Sequence, residues 1–345
     1  MSTLFFHSYL FGFCFWSNFA LGASALLMIY QLTGGAWGKA IEPILIAMTR
    51  TIYVTAALFI PLFFGINQIY TWATSVNSHT PREQAQAFYL NPLSFSVRSV
   101  IYFILWGLVA YFLARWSDRL RIAPDDLHIR EKVKRLSAGG LVLYAFSVSF
   151  ASIDWVMSLE PSWYSTVYGM VYGVAAGLSA FAFVLFTLPY FSHNVSKKAL
   201  NDLANILLAF IMFWAYVSIL QYVIIWSGNI PKEALWFNHR RHGGWGYLIT
   251  LIASLQLAGP FLLLLFKDLK RDVKVLSTIG LLLLSIRTVD MFWLIMPAFH
   301  PEGWTIHLTD FWVFAAIGAV WILSFKWIWN RSLPKDVAGS VAAHA

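Results

Sequence analysis

Apolar residues in this chain neither alternate nor keep to one helical stripe; they come in long, nearly unbroken runs. Such runs occupy about 4–31, 48–73, 94–116, 136–159, 165–191, 203–226, 244–266, 275–298 and 309–330. A bilayer core of about 30 Å takes roughly 20 apolar residues as helix, so the pattern predicts nine transmembrane helices. Turn signals separate several of them: GGAWG, NSHTPREQ, SLEPSW, SGNIPKE and HPEGW. The fold class expected is all-α, a polytopic transmembrane helix bundle without a soluble domain.

Composition agrees with that class. Hydrophobic residues are 59% of 345 and charged residues 12%, about half the share of a soluble domain. Seventeen Trp and fifteen Tyr suit aromatic belts at two interfaces. The net charge of +8 would suit nucleic acid, but the basic residues lie in short loops between apolar runs. Their distribution is topogenic: 18 of the 24 fall after runs one, three, five and seven or at the C-terminus. Five fall on the opposite side (Arg82, Arg98, Lys232, Arg240 and Arg241), and Arg287 is inside a run. The positive-inside rule then puts the N-terminus outside and the C-terminus in the cytoplasm of a bacterial inner membrane. No cleavable signal is expected at the N-terminus.

Runs one to four and five to eight read as two copies of one four-helix unit. Tyr9, Gly22, Ser24 and Ala25 recur as Tyr164, Gly177, Ser179 and Ala180; Gln68 and Trp72 recur as Gln221 and Trp226. Asp154 stands seven residues before Pro161, as Asp290 does before Pro297, and Arg98 and Arg241 each precede a third helix. Four spans per copy make the repeat parallel. The expected organisation is a first four-helix bundle over 1–160, a second over 161–300, and a ninth helix with a cytoplasmic tail over 301–345. Gly169, Gly173 and Gly177 are expected to let span five pack closely on a neighbour.

Little in the chain could hold a redox metal. The single cysteine, Cys14, permits no disulfide and no cysteine-ligated cluster, and the histidines fall in loops or at span ends, so no haem or metal site is expected. Asp154, Arg287 and Asp290 are the ionisable residues within spans. A charge in hydrocarbon costs about 2.5–3.5 kcal/mol or more, so each must pair or border a polar cavity. Arg287 and Asp290, three residues apart, share a helix face and can pair. Asp154, with Ser152, Ser158 and Glu160 nearby, is either a proton-exchanging or quinone-contacting group or a structural polar anchor. Asp154 and Asp290 are expected to open on one outward polar cavity, with Gln68, Gln221, Arg98, Arg240 and Arg241 as candidates for its rim. For the arginines the alternative is snorkelling to the interface. Trp155, Trp163 and Tyr164 could stack on a quinone ring or serve as belt anchors. No span looks broken by Gly or Pro at mid-depth.

Two segments carry a family likeness: SIDWVMSLEPSWYSTVYG from Ser152 to Gly169, and WAYVSILQYVIIWSGNIPKEALWFNHR from Trp214 to Arg240. With LTGGAWG near Leu32 they resemble the second quinone-type membrane subunit (ActF) of alternative complex III, in the NrfD/polysulfide-reductase membrane-subunit family. The resemblance implies two four-helix bundles in a quinol:cytochrome c, or other high-potential acceptor, oxidoreductase. It implies as partners a homologous quinol-binding membrane subunit, an iron–sulfur subunit, multihaem cytochrome c subunits and lipids. Menaquinone or ubiquinone would be bound or bordered, and protons conducted. Family members usually have ten spans, so a first peripheral helix is expected to be lacking here. In the sister subunit an Asp matching Asp154 works with a His earlier on the same helix, whereas here no His lies between Leu136 and Asp154. The alternatives are a scaffold or proton-conducting subunit without a quinone site, and a secondary transporter.

Overall fold

The computed structural model describes residues 3–74, 87–191 and 195–332. The turn signal NSHTPREQ with Arg82, and the tail beyond Ser332, lie outside the described residues. Within them the chain forms helices and no strand, and nine stretches are long and apolar enough to cross a bilayer. The protein is thus a multi-pass helical membrane protein.

The helices are α1 (Thr3–Thr33), α2 (Ala36–Arg50), α3 (Ile52–Ile69), α4 (Pro92–Ile122), α5 (Leu127–Trp155) and α6 (Tyr168–Phe191). They continue with α7 (Lys197–Gly228), α8 (Pro231–His239), α9 (Trp245–Ile252), α10 (Gly259–Leu263), α11 (Val273–Ile295) and α12 (Leu308–Ser332). Several starts are set by side-chain caps. Asn91 accepts from the Ser94 amide, Asp126 from Ile129 and Ser196 from Ala199. Each satisfies an amide that the first turn leaves without a partner.

Two elements differ from the sequence reading. The second span begins at Ala36, because the GGAWG turn is confined to Gly34 and Gly35, whose φ angles of 68° and 105° suit glycine. α2 follows at once and joins α3 through Thr51. It is largely buried, packed on α1, α7 and α12, so the stretch around Lys39 and Glu42, read in the sequence as a connection, is helix. The second difference is in span seven. Between α9 and α10 the backbone runs as a π-helix over Ala253–Ala258, just before Gly259 and Pro260. The helix is not unwound there, but its ladder is widened at mid-span, where none was expected.

α1 packs against α3 and α5, and α4 closes that group; α6 packs against α7 and α11, with α9 lying on α11. α1 and α6 form the centre and α12 leans on α1. The closest approach of a glycine to another helix's backbone is at Gly22, where a Cβ would sit 2.1 Å from the Ala176 carbonyl oxygen. The glycines of α6 divide their roles. Gly169 lies against Ser149 of α5 and Gly177 against Phe210 of α7, while Gly173 makes only ordinary contact. The expected single glycine face therefore serves two neighbours.

Candidate functional site

Asp154 sits one residue before the end of α5, where the chain leaves the helix for a 3-10 turn over Met157–Leu159. It is fully buried. Arg98 of α4 donates to it twice, from Nε to Oδ2 and from Nη2 to Oδ1, each at 2.9 Å. The Tyr102 hydroxyl donates to Oδ2 at 2.8 Å. Arg98 also donates to the Tyr89 carbonyl and lies 3.7 Å from that ring's centroid. Arg98 therefore neutralises Asp154 rather than snorkelling. Ser158 Oγ donates to the Asp154 carbonyl at 2.5 Å and Ser152 Oγ to the Ser149 carbonyl, so neither hydroxyl turns to the carboxylate.

The space beside this pair is filled. Trp155 is fully buried, donates from Nε1 to Ser99 Oγ, and packs on Phe13, Phe59, Phe103 and Trp106 at ring distances of 5.0–5.8 Å. It is core, not belt. Among the described residues Asp154 does not open on an outward cavity: it is fully buried, and both its oxygens are bound by Arg98 and Tyr102.

The second group of helices has the opposite character. A cavity of about 420 Å³ lies among α6, α7, α8, α9 and α11. Its walls are chiefly aromatic and aliphatic, including Tyr168, Trp214, Trp236 and Trp293. Polar groups border it at Ser218, Gln221, Arg240, Arg241, Arg287 and Asp290. Arg287 pairs with Asp290 on α11 and donates from Nε to Ser179 Oγ of α6 at 3.1 Å. The two acids singled out in sequence thus diverge: Asp290 borders open space and Asp154 does not.

Arg240, at the end of α8, is 2% exposed and held from several sides. It donates to Glu160 Oε1 at 2.7 Å and to the carbonyls of Trp236 and Leu294. Its guanidinium lies 3.7 Å from the Trp236 ring centroid, and Trp236 stacks on Trp163 at 4.6 Å. Burial lowers the Arg240 pKa and Glu160 opposes that shift. His239 Nδ1 reaches Glu160 Oε2 at 3.2 Å. Glu160 precedes α6, and Arg240 precedes α9, so this latch ties two connections together over the cavity.

The remaining candidates separate. Gln221 is buried on the cavity wall, whereas Gln68 and Tyr164 are exposed and Arg241 is an exposed rim residue. Sequence reasoning passed over Ser218, Trp236 and Trp293 as cavity residues. Ser218 and Trp236 lie within the Trp214–Arg240 segment, so that segment was the signal for them, while Trp293 had none. Gln68, the repeat counterpart of Gln221, is exposed and not on the cavity wall. No group of three or more metal-binding side chains occurs among the described residues. A scan against protein-family models and a search of curated proteins returned no match.

Proposed function

We propose that the chain is an integral membrane subunit of a quinol-oxidising electron-transfer complex of the alternative complex III type, set in a bacterial inner membrane with its N-terminus outside. In this reading it borders or binds quinone and offers polar groups for proton movement. Electrons pass through iron–sulfur and multihaem cytochrome partners and a homologous quinol-binding membrane subunit.

The observation that carries the proposal is the cavity of about 420 Å³, within the roughly 300–1,000 Å³ usual for small-molecule sites. Apolar walls with a few convergent polar groups suit a molecule that arrives through lipid and needs its head oriented. The motif likeness around Ser152–Gly169 and Trp214–Arg240 falls on the α5–α6 connection and on α7–α8, which build the latch and one wall. The filled interior beside Asp154 weighs against quinol oxidation there. A transporter reading gains little from span seven, since its π-turn leaves the helix continuous rather than broken into half-helices.

The test is the composition of the complex. The tagged chain, purified from native membranes in mild detergent, should bring down iron–sulfur and multihaem cytochrome subunits in stoichiometric amounts. A chain that purifies alone, or with soluble transport components, overturns the proposal.

A further inference from the structure

We infer that Glu42 of α2 is a proton-exchanging carboxyl, served by the aqueous phase on the inner side and feeding the interior of the α1–α4–α5 group. The inference rests on the function proposed above and deepens it by naming one acid, outside the cavity wall, and the side that serves it.

The first observation is where α2 puts this carboxyl. Glu42 is 8% exposed. Its Oε1 accepts from Gln31 Nε2 of α1 at 2.8 Å, and the same nitrogen donates to Ser117 Oγ of α4 at 3.0 Å. Gln31 lies in the last turn of α1. Ser117 adjoins Asp118, which pairs with Arg50 and lies 3.9 Å from Arg121. These are the basic ends of their helices, the side proposed as cytoplasmic.

The second observation is how little holds the charge. An ionised carboxylate offers about four acceptor positions. Glu42 has a single hydrogen bond, from a neutral amide, and no ion pair among the described residues. Asp154, also buried, accepts three bonds, two of them from Arg98. The charged groups that act on Glu42 are Arg121 and Asp118 of α4, which oppose each other, and Lys39 of its own helix. Tyr30 of α1 is also within reach, while α6, α7 and α12 pack on α2 without adding a further charge. A charge left so bare in an apolar setting is relieved by a proton, and a carboxyl that touches water at one edge can gain and lose one.

The third observation is a run of hydroxyls leading outward from Gln31. Ser137 Oγ of α5 is buried without a partner. One turn further, Gly140 lines a hole of about 10 Å³ together with Ser24 and Met28 of α1, Trp106 of α4 and Tyr144 of α5. That is near the volume a single water needs. Beyond it Trp106 Nε1 donates to Ser147 Oγ at 2.8 Å. In the exchange, the carboxylate takes a proton from a hydronium ion at the inner face and becomes the neutral acid. It is a carboxylate again once that proton passes on along Ser117, Ser137 and Ser24. Only O–H bonds form and break, and no electron moves.

The test uses sealed membrane vesicles holding the intact complex, with inner and outer pH set separately. Dicyclohexylcarbodiimide, an apolar reagent that adds to protonated carboxyls, is followed by mass spectrometry of the labelled peptides. Label should fall on Glu42 and drop at least about threefold when the inner pH is raised by about two units, whatever the outer pH. Glu42→Asp should keep the label and Glu42→Gln should lose it, with Cys14 as protected from alkylation as in the unaltered chain. Glu42→Gln vesicles should also take up at least about twofold fewer protons from the inner side per electron transferred. An unlabelled Glu42 in folded protein, a label indifferent to inner pH, or an unchanged proton-to-electron ratio would each overturn the inference. A purely structural acid gives the last of these. Quinol turnover keeps the two proposals apart. Vesicles that oxidise no quinol refute the proposed function, whereas the label and its dependence on inner pH are read without turnover.

Discussion

Replacing Asp154 with Asn should unfold the α1–α3–α4–α5 group rather than tune catalysis. The carboxylate accepts three hydrogen bonds, two from Arg98 and one from Tyr102, and is fully buried. Asn is nearly the same size but keeps one acceptor oxygen, sets an NH₂ against a donor, and leaves Arg98 without its counter-charge. Breaking a buried pair by removing one partner costs about 3–5 kcal/mol. At about 1.4 kcal/mol per factor of ten, the opened fraction should rise roughly 10²-fold to several thousand-fold. Cys14 is a convenient reporter, being the chain's single cysteine and fully buried beside Phe13, which packs on Trp155. Its alkylation, followed by mass spectrometry of its peptide, should accelerate by about that factor in Asp154→Asn. The double variant Arg98→Met with Asp154→Leu removes both charges and should recover most of the protection. Unchanged Cys14 protection in Asp154→Asn, or a double variant no better than the single one, would refute the anchor reading.

Other outcomes follow from the same geometry. Gly22→Val should abolish folding, since its Cβ would lie 2.1 Å from the Ala176 carbonyl, and size-exclusion profiles in detergent would show it. Glu160→Gln should weaken the latch by about 2 kcal/mol, a charged hydrogen bond lost, and speed proteolysis of the 160–167 connection. Burial first, then His307, lowers the His300 pKa from its usual 6.5, against a smaller pull from Asp310. A base that binds fewer protons folded than unfolded contributes stability above about pH 6.5 and loses it as pH falls below. His300→Gln should therefore shrink the drop in thermal stability between about pH 7.5 and 5.5. A reporter fused after Ala345 should read cytoplasmic and one near Asn77 periplasmic.

The spans were legible because hydrocarbon imposes a length and a composition that no loop imitates. Arg287 with Asp290 was legible too, since an i,i+3 pair is a local fact. Arg98 with Asp154 was not: the partners are 56 residues apart, and each alone reads equally well as an interface residue or a functional group. Trp155 was misjudged for a related reason. In a membrane helix both faces are apolar, so periodicity no longer separates core from periphery. The polar border of the cavity was partly legible, since Asp290, Arg287, Gln221, Arg240 and Arg241 were all singled out. Its restriction to the second group of helices was not, because that depends on how the helices pack and on a π-turn formed by six ordinary residues.

The measurement closest to the central proposal is quinol-driven reduction of a high-potential acceptor by membranes with and without this chain. Membranes from a deletion strain should lose that activity, and the intact chain supplied in trans should restore it. Equal rates in deleted and complemented membranes would contradict the account.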